Sequence, residues 1–324
     1  MRLRKGGKLL QPKTIFLQTS MKIATYNLRN LFDEGSRQGY GEEEVVTTKE
    51  FVETIVGDLA RTIREIAPDV LMAQEIGFAP LFERVASEVS DDYKTFVATP
   101  DARGIANGVM YKVPATPESI PDIGGFPVMV DGDEDVIGKR LSPYRHFVYL
   151  QTEYRNKPLH IFGHHLKASS GVSLKSPTGE SVPPSSQRDM GDALARALIY
   201  RIAEARKLRE LVDKLLEGDP AAQIIILGDF NVTEGSEVLR IIQGSSKYKE
   251  TQLTNMCESV SAKSRYSYLG GGTKRLLDHI LVSPSLKEQV VSIEIKNALL
   301  RDQVPFPENT FPESDHAPVV LTLK

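Results

Sequence analysis

The chain has no tryptophan, one cysteine and no apolar run approaching the ~18 residues that a membrane span needs. The lone Cys257 excludes an internal disulfide framework and fits a reducing compartment, so a cytoplasmic location is expected. A catalytic thiol would want a base beside it, and "TNMCESV" offers none in sequence; an inert thiol is the simpler reading. A strong excess of charge is missing too. With a net charge of -3 no global positive field draws the protein to polyanions, and contacts with nucleic acid would have to come from local patches or a bound cation. The opening "MRLRKGGKLLQPKTIFLQTS" has the cations of a signal peptide without an apolar core of sufficient length. Met21 is followed at once by a strand-like "KIATYNL". Residues 1–20 are therefore expected to be a disordered lead or an upstream-start extension, and residues 21–324 the folded domain.

What is present is a globular composition: 324 residues, 40% hydrophobic and 26% charged, enough to bury a sizeable core. No repeat period and no long linker divides the chain. "KIATYNL" reads as a first strand, with Ile23, Thr25 and Asn27 on one face. The polar, acidic residues 33–46 read as a surface loop. A helix follows over "TTKEFVETIVGDLARTIREIAPD", where Thr47 and Glu50 form a capping box and Pro68 closes the pattern. "DVLMAQE" is the next strand, completing a βαβ signature. A helix near 80–89 and strands near 94–98 and in "NGVMYKV" come next. Residues 114–142, rich in Pro, Gly and Asp, read as loop with an edge strand. "HFVYLQTE" and "PLHIFGHH" read as antiparallel neighbours joined at "YRNK". A long helix runs from about 187 to 217, with apolar residues at 190, 194, 197, 198, 202, 205, 208, 212 and 215 and a C-cap at Gly218. Further strands are "IIILGD", one near "SRYSYL", "RLLDHILVS" and the one after "SDHAP", with a helix at 235–243. This mixture argues an α/β fold with strands in more than one sheet.

The stretch "IIILGDFNVT" poses the functional question. Four aliphatic residues form a strand buried on both faces, which then ends in Asp229 and Asn231. Two residues apart on a strand, these side chains would share a face and could hold a metal, a phosphate or an attacking water. Alternatively they shape a turn, as Asp and Asn often do. Other strands end the same way: Asn27 in "TYNLRNLF", Glu75 closing "DVLMAQE", His165 closing "LHIFGHH", Asp278 in "RLLDHIL", and Asp315-His316 in "SDHAP". Each alone has a bland reading as a salt-bridge partner or packed histidine. Together they are hard to dismiss, because ionisable groups near buried strand ends are costly unless paired or metal-bound.

In this order and spacing, "QE", "GDFN", "LDHIL" and "SDH" resemble the endonuclease/exonuclease/phosphatase superfamily of DNase I-like metal-dependent phosphodiesterases, over nearly the whole chain from Met21. The opening "YNLRNLFD", with "DARGIANGVMYK" and "HHLK", looks most like a bacterial branch of it. The resemblance implies a four-layer α/β sandwich, two mixed sheets face to face with helices outside, and an active site at one end. It implies that Glu75 ligates Mg2+ (Mn2+ as a substitute), with Asn27 beside it and Asp315 near the metal. Asp229 and Asn231 would position the attacking water and phosphate oxygens, with Asp229 also near the metal. His316, oriented by Asp278, would contact the phosphate or act as acid–base group, and His165 would be the second histidine. The family pattern, a histidine directly before "LK", selects His165 over His164, which is read as structural. Lys167, Arg103 and Asn107 are candidate phosphate contacts, though surface charges are usually just solvated.

The details bear on substrate. Arg29 stands where abasic-site endonucleases carry an acid, and Tyr26 where they carry tryptophan. The tryptophan-led motif and proline-cysteine box of inositol polyphosphate 5-phosphatases are missing. The expectation is an Mg2+-dependent phosphodiesterase, a nuclease first, monomeric and without stable membrane association. The alternative enzyme is a phosphatase or diesterase acting on a small molecule, nucleotide or lipid headgroup. The non-enzyme alternative is a binding protein on the same fold, whose mark would be loss of the glutamate, the "GD-N" pair or the terminal histidine.

Overall fold

The computed structural model describes residues 20–40, 43–121, 144–176, 178, 180–298, 300–302 and 314–324. The expected lead, apart from Ser20, and the 122–142 part of the Pro-, Gly- and Asp-rich stretch lie outside them. One mixed sheet holds β1 (Met21–Leu31), β4 (Val70–Ile76), β5 (Lys94–Val97), β6 (Ala106–Tyr111), β17 (Val290–Ile295) and β18 (Val319–Leu323). Its order is β17-β18-β1-β4-β6-β5. The second holds β7 (Thr116–Ile120), β8 (Phe147–Tyr154), β9 (Lys157–His165), β12 (Gln223–Asp229), β13 (Thr254–Asn255) and β16 (Asp278–Val282). Its order is β13-β16-β12-β9-β8-β7. Three short ribbons complete the strands: β2 (Arg37–Tyr40) with β3 (Glu43–Val46), β10 (Leu174–Lys175) with β11 (Ser181–Val182), and β14 (Tyr268–Gly270) with β15 (Thr273–Arg275). The first ribbon falls where the sequence suggests only a surface loop.

The layers follow from the two-residue period of strands. Ile23, Val70, Met72 and Val109 of the first sheet meet Leu159, Ile161, Ile225, Leu227, Ile280 and Val282 of the second in one dry core. The intervening residues face outward and are covered by helices. Helices α1 (Lys49–Ile66) and α2 (Ala79–Val89) cover Ala24, Tyr26, Leu71 and Ala73. Helices α3 (Gln187–Gly218) and α4 (Glu237–Gln243) cover the other sheet's Phe162, Ile224 and Ile226. The result is helix, sheet, sheet, helix, the four-layer arrangement read from the sequence. No helix among the described residues is long and apolar enough to cross a membrane.

Helix ends depart from the sequence reading in small ways. The cap of α1 is Thr48, not Thr47, and its side chain accepts the Phe51 N–H. Gly218 is the last residue inside α3, and extended Asp219 follows as the cap. Three of the expected buried positions in α3, Met190, Leu194 and Leu198, are exposed, while Arg201 and Glu204 are buried in that helix.

The topology fixes where a site can form. Each sheet has one parallel pair at its centre, β1 with β4 and β12 with β9, so these four strands finish at the same end of the sandwich. β16 and β18 run antiparallel to their neighbours and start at that end. Gly228, one residue before the end of β12, is pressed against β9: a Cβ there would lie 1.9 Å from the His164 carbonyl oxygen, and its φ is +148°. Only glycine has both the room and the conformational freedom this requires. Gly228→Ala is therefore expected to destabilise the fold by about 3 kcal/mol, read as a lower urea midpoint. An unchanged midpoint would mean that β9 and β12 can part here without loss.

Candidate active site

Asp229, the last residue of β12, is buried and continues the inward face of Ile225 and Leu227. Its Oδ2 is the hub of the site. It accepts from Asn27 Nδ2 of the opposite sheet at 3.2 Å, and lies 3.4 Å from His165 Nε2 and 3.8 Å from His316 Nε2. Its Oδ1 accepts the Asn231 N–H at 2.8 Å. Asn231 is beyond the strand, with φ 51°, and its Nδ2 donates to the Leu166 carbonyl. The shared strand face expected for Asp229 and Asn231 thus gives way to a turn. Asp229 serves both readings of "GDFN" at once: one oxygen shapes the turn while the other faces the cluster.

Asn27 and His165 also follow the period of their strands. Asn27 continues the face of Ile23 and Thr25, and His165 that of Leu159 and Ile161. Glu75 does not. Alternation from Val70 and Met72 would turn Gln74 inward and Glu75 toward the helices. Instead the β1/β4 and β4/β6 registers both shift here, and Glu75 takes φ 62°. A bulge of this kind re-aims a side chain. Glu75 Oε1 accepts from Asn27 Nδ2 at 3.2 Å, and Oε2 from the Asn30 N–H at 2.9 Å. Arg29 and Asn30 also have positive φ, so both strands are distorted where they meet. Such conformations cost about 1–3 kcal/mol each and persist where the surrounding structure enforces them.

The second half of the cluster is a relay. His316 Nδ1 lies 2.6 Å from Asp278 Oδ2, and Ser267 Oγ donates to that same oxygen at 2.6 Å. Ser267 Oγ in turn accepts the Leu277 and Asp278 N–H groups. Ser314 ties the loop down: its hydroxyl donates to the Asn27 carbonyl and accepts the His316 N–H. The ring of Tyr268 stands 5.2 Å from that of His316. Asp315 is half-buried beside His316 and adds negative charge near His316 and Tyr268.

The two histidines have opposite electrostatics. Burial pushes His165 well below the ordinary imidazole range, with Arg145 foremost among the cations that reinforce this. Burial also disfavours charge on His316, but Asp278 and then Asp229 overcome it and hold its proton well above the usual range. Burial raises the Asp229 carboxyl, with His316 opposing. His164, fully buried between Phe147 and Phe230, is driven down to about 3 by burial and packs as a neutral ring.

Among the described residues, Asp229, Asp278 and His316 have donor atoms all within 4.8 Å of one another. The short His316–Asp278 contact spends those two groups on a charge-assisted hydrogen bond. Glu75 is the better partner for a hard cation, because among the described residues its carboxylate accepts two N–H groups and keeps acceptor capacity. Asn27 turns its amide N–H toward both Glu75 and Asp229, while its Oδ1 accepts the Arg29 N–H. In this arrangement its N–H group spaces two acids, and its Oδ1 keeps a second lone pair.

The candidate phosphate contacts make no hydrogen bond to Asp229 among the described residues. Asn107 is buried with its Nδ2 on the His146 carbonyl. Arg103 is exposed and pairs with Asp101. The Lys167 ammonium donates to Ala168 and Ser170, and burial with nearby cations lowers it to about 8. Sequence reasoning gave no role to Ser267, Ser314, Arg145 or Glu204. Ser314 stands inside the quoted "SDH" and was the one with a visible signal.

The layers and the clustered strand ends define a DNase I-like α/β sandwich. The sequence profile of the Endonuclease/Exonuclease/phosphatase family matches residues 24–316, and the chain belongs to that family. No curated protein matches it. Truncated TDP2 from Caenorhabditis elegans superposes with a TM-score of 0.58 at 14% identity, over 95% of this chain and 98% of that one. TDP2 from D. rerio, crystallised with a single-strand DNA product, gives 0.55 at 15% identity, over 95% and 100%. A mannosyl-6-phosphatase from Bacteroides thetaiotaomicron gives 0.53 at 18% identity, over 93% and 98%. These likenesses concern the fold.

The charge on His316 carries a pH signature. Its folded pKa lies above the unfolded value near 6.5, so its contribution to stability is fully present below that value and is lost as pH rises through the folded pKa. In Asp278→Asn the His316 titration, followed by NMR in chelator, should move to lower pH, and this part of the pH dependence of stability should shrink. A His316 titration unmoved in Asp278→Asn would remove the relay from consideration.

Proposed function

We propose that the protein is a metal-dependent hydrolase of phosphate esters, a phosphodiesterase and first of all a nuclease. The observation that carries this is the convergence of Asn27, Glu75, His165, Asp229 and the Asp278–His316 pair at one end of the sandwich, with one imidazole held charged and the other neutral. Phosphodiester hydrolysis needs a positioned water, neutralised phosphoryl oxygens and a stabilised leaving group, and this donor set matches those needs.

In this reading Glu75 holds a divalent cation, Mg2+ or in its place Mn2+, with Asp229 and Asp315 the further acids nearby. The cation, when bound, supplies charge neutralisation on the phosphate and stabilisation of the leaving alkoxide. Asp229, its carboxyl raised by burial, accepts the proton of the attacking water. His316, kept protonated by Asp278 and fixed by Ser267, places positive charge against the phosphoryl oxygens. Neutral His165 sets its Nε2 3.4 Å from Asp229 Oδ2 and flanks that carboxylate. Asn231 keeps the "GDFN" turn closed.

A phosphatase reading draws on the net charge of -3, which gives no general attraction to polynucleotides. The same fold serves a TDP2 bound to a DNA product and a mannosyl-6-phosphatase, so fold alone does not choose. The test is hydrolysis of plasmid DNA, single-stranded RNA and bis-p-nitrophenyl phosphate with Mg2+, with Mn2+ and with chelator. Metal-dependent cleavage is expected, reduced about 10²–10⁴-fold in Asp229→Ala and His316→Ala. Failure on all three substrates would overturn the nuclease reading in favour of small phosphomonoesters.

A further inference from the structure

We infer that an anion pocket beside His165, built on Arg145 with Lys167 and Arg103, receives a second phosphate group of the substrate, next to the one that is cleaved. This rests on the hydrolase reading for its catalytic consequence, but the pocket itself stands on geometry.

Arg145 is the unusual group. Its side chain is only 4% exposed, and its Nε lies 3.3 Å from Asp101 Oδ2. Yet Nε and Nη1 make no hydrogen bond. Guanidinium N–H groups are not left bare at such depth without cost. Arg103 shares the same Asp101 oxygen at 3.5 Å. The Arg145 guanidinium and the Lys167 ammonium both lie against the ring of Tyr144, at 5.6 and 4.9 Å from its centroid. Lys167 is two residues beyond His165, and the Leu166 N–H between them bonds the Asp229 carbonyl. The cation group therefore adjoins the catalytic cluster.

Helix α3 holds this arrangement from behind. Glu204, fully buried, accepts the Tyr144 N–H on Oε1 at 2.8 Å and the Lys167 N–H on Oε2 at 2.9 Å. One turn earlier, Arg201 Nη1 donates to the Lys167 carbonyl at 3.1 Å. One carboxylate thus staples together the two segments that carry Arg145 and Lys167. Among the described residues, the carboxylates paired with the cations Arg103, Arg145, Lys167 and Arg201 in this neighbourhood are Asp101 and Glu204. Burial and like charge push the Lys167 ammonium down to about 8, and burial raises Glu204 to about 7. A cluster short of negative charge, with unspent N–H groups on a rigidly backed arginine, suits an oxyanion of several acceptors. Arg recognises phosphate through paired N–H donors, whereas Lys167, already donating to Ala168 and Ser170, contributes charge. The second phosphate could belong to a terminal phosphomonoester or to the next link of a polynucleotide strand. The chemistry read by the pocket is the same.

The experiment has two parts. Inorganic phosphate is titrated calorimetrically into the protein with chelator present, for wild type, Arg145→Gln and Arg145→Lys. Binding weakened about tenfold or more in Arg145→Gln and partly restored in Arg145→Lys is expected. With Mg2+, kcat/KM is then compared for bis-p-nitrophenyl phosphate, a dinucleotide, the same dinucleotide with a 5′-phosphate, and a single-stranded octanucleotide. Arg145→Gln should lower the preference for multi-phosphate over single-phosphate substrates about tenfold to a hundredfold. A gain from the 5′-phosphate identifies a terminal group as the occupant; a gain confined to the octanucleotide identifies a flanking strand phosphate. Phosphate binding that ignores Arg145 overturns the pocket. So does an equal loss on all substrates in both variants with a lowered melting temperature, which marks Arg145 as a structural strut. If no substrate is cleaved but phosphate binding still depends on Arg145, the pocket stands and the hydrolase reading falls.

Discussion

The structure turns on one buried carboxylate. Asp229 sits where two apolar sheets meet, and an ionised acid there would cost several kcal/mol if left unpaired. It is compensated by groups from both sheets and from the loops beyond them: the Asn27 amide across the core, the Asn231 N–H from its own turn, and the imidazoles of His165 and His316. Each partner depends on Asp229 in return. Asn27 donates one nitrogen to both Glu75 and Asp229, so it keeps two acids close that would otherwise repel. The sheets are joined along most of their faces by hydrocarbon and at this end by a polar bridge. The same bridge that satisfies the carboxylate gathers the functional groups.

That gathering is a consequence of topology. A parallel pair delivers two C-termini to one edge, and the sandwich contains two such pairs, facing each other. His165 and Asp229 close β9 and β12, Glu75 is next to last in β4, and Asn27 stands where the regular β1/β4 register ends, while Asp278 opens β16 and His316 precedes β18. Because the strands are rigidly packed below, the polar groups above need little further support. The local distortions mark where support is required: the paired bulge of β1 and β4, with Arg29, Asn30 and Glu75 all at positive φ, and the bare Gly228 that lets β12 close on β9.

Period and order made much of this legible beforehand. The face shared by Ile23, Thr25 and Asn27, the opposed faces of His164 and His165, and the strand ending at Asp229 all follow from alternation. The Asp278–His316 contact followed from the resemblance of "LDHIL" and "SDH", not from any local pattern. Glu75 is the instructive exception. Strict alternation puts it on the helix side, and only a register shift, invisible in sequence, brings it to Asn27. Ser267 and Glu204 were illegible for a different reason: their roles are contacts to backbone N–H groups far along the chain, which no side-chain pattern encodes. In α3 the helical period was read correctly, but its apolar beginning is exposed and its buried middle is Arg201 and Glu204, because that face holds the Lys167 loop rather than a hydrocarbon core.

The contrast between the two histidines shows how environment divides labour within one residue type. Both rings are buried and both lie near Asp229, so burial and the shared acid cannot separate them. What differs is the far side of each ring. His316 Nδ1 meets Asp278, whose carboxylate accepts from Ser267, a hydroxyl itself fixed by two backbone N–H groups, and the ring therefore keeps its proton. His165 Nδ1 has no hydrogen-bond partner, and Arg145 leads the surrounding cations, so the ring stays neutral. One residue type thus places a charged imidazole and a neutral one against the same carboxylate oxygen, Asp229 Oδ2.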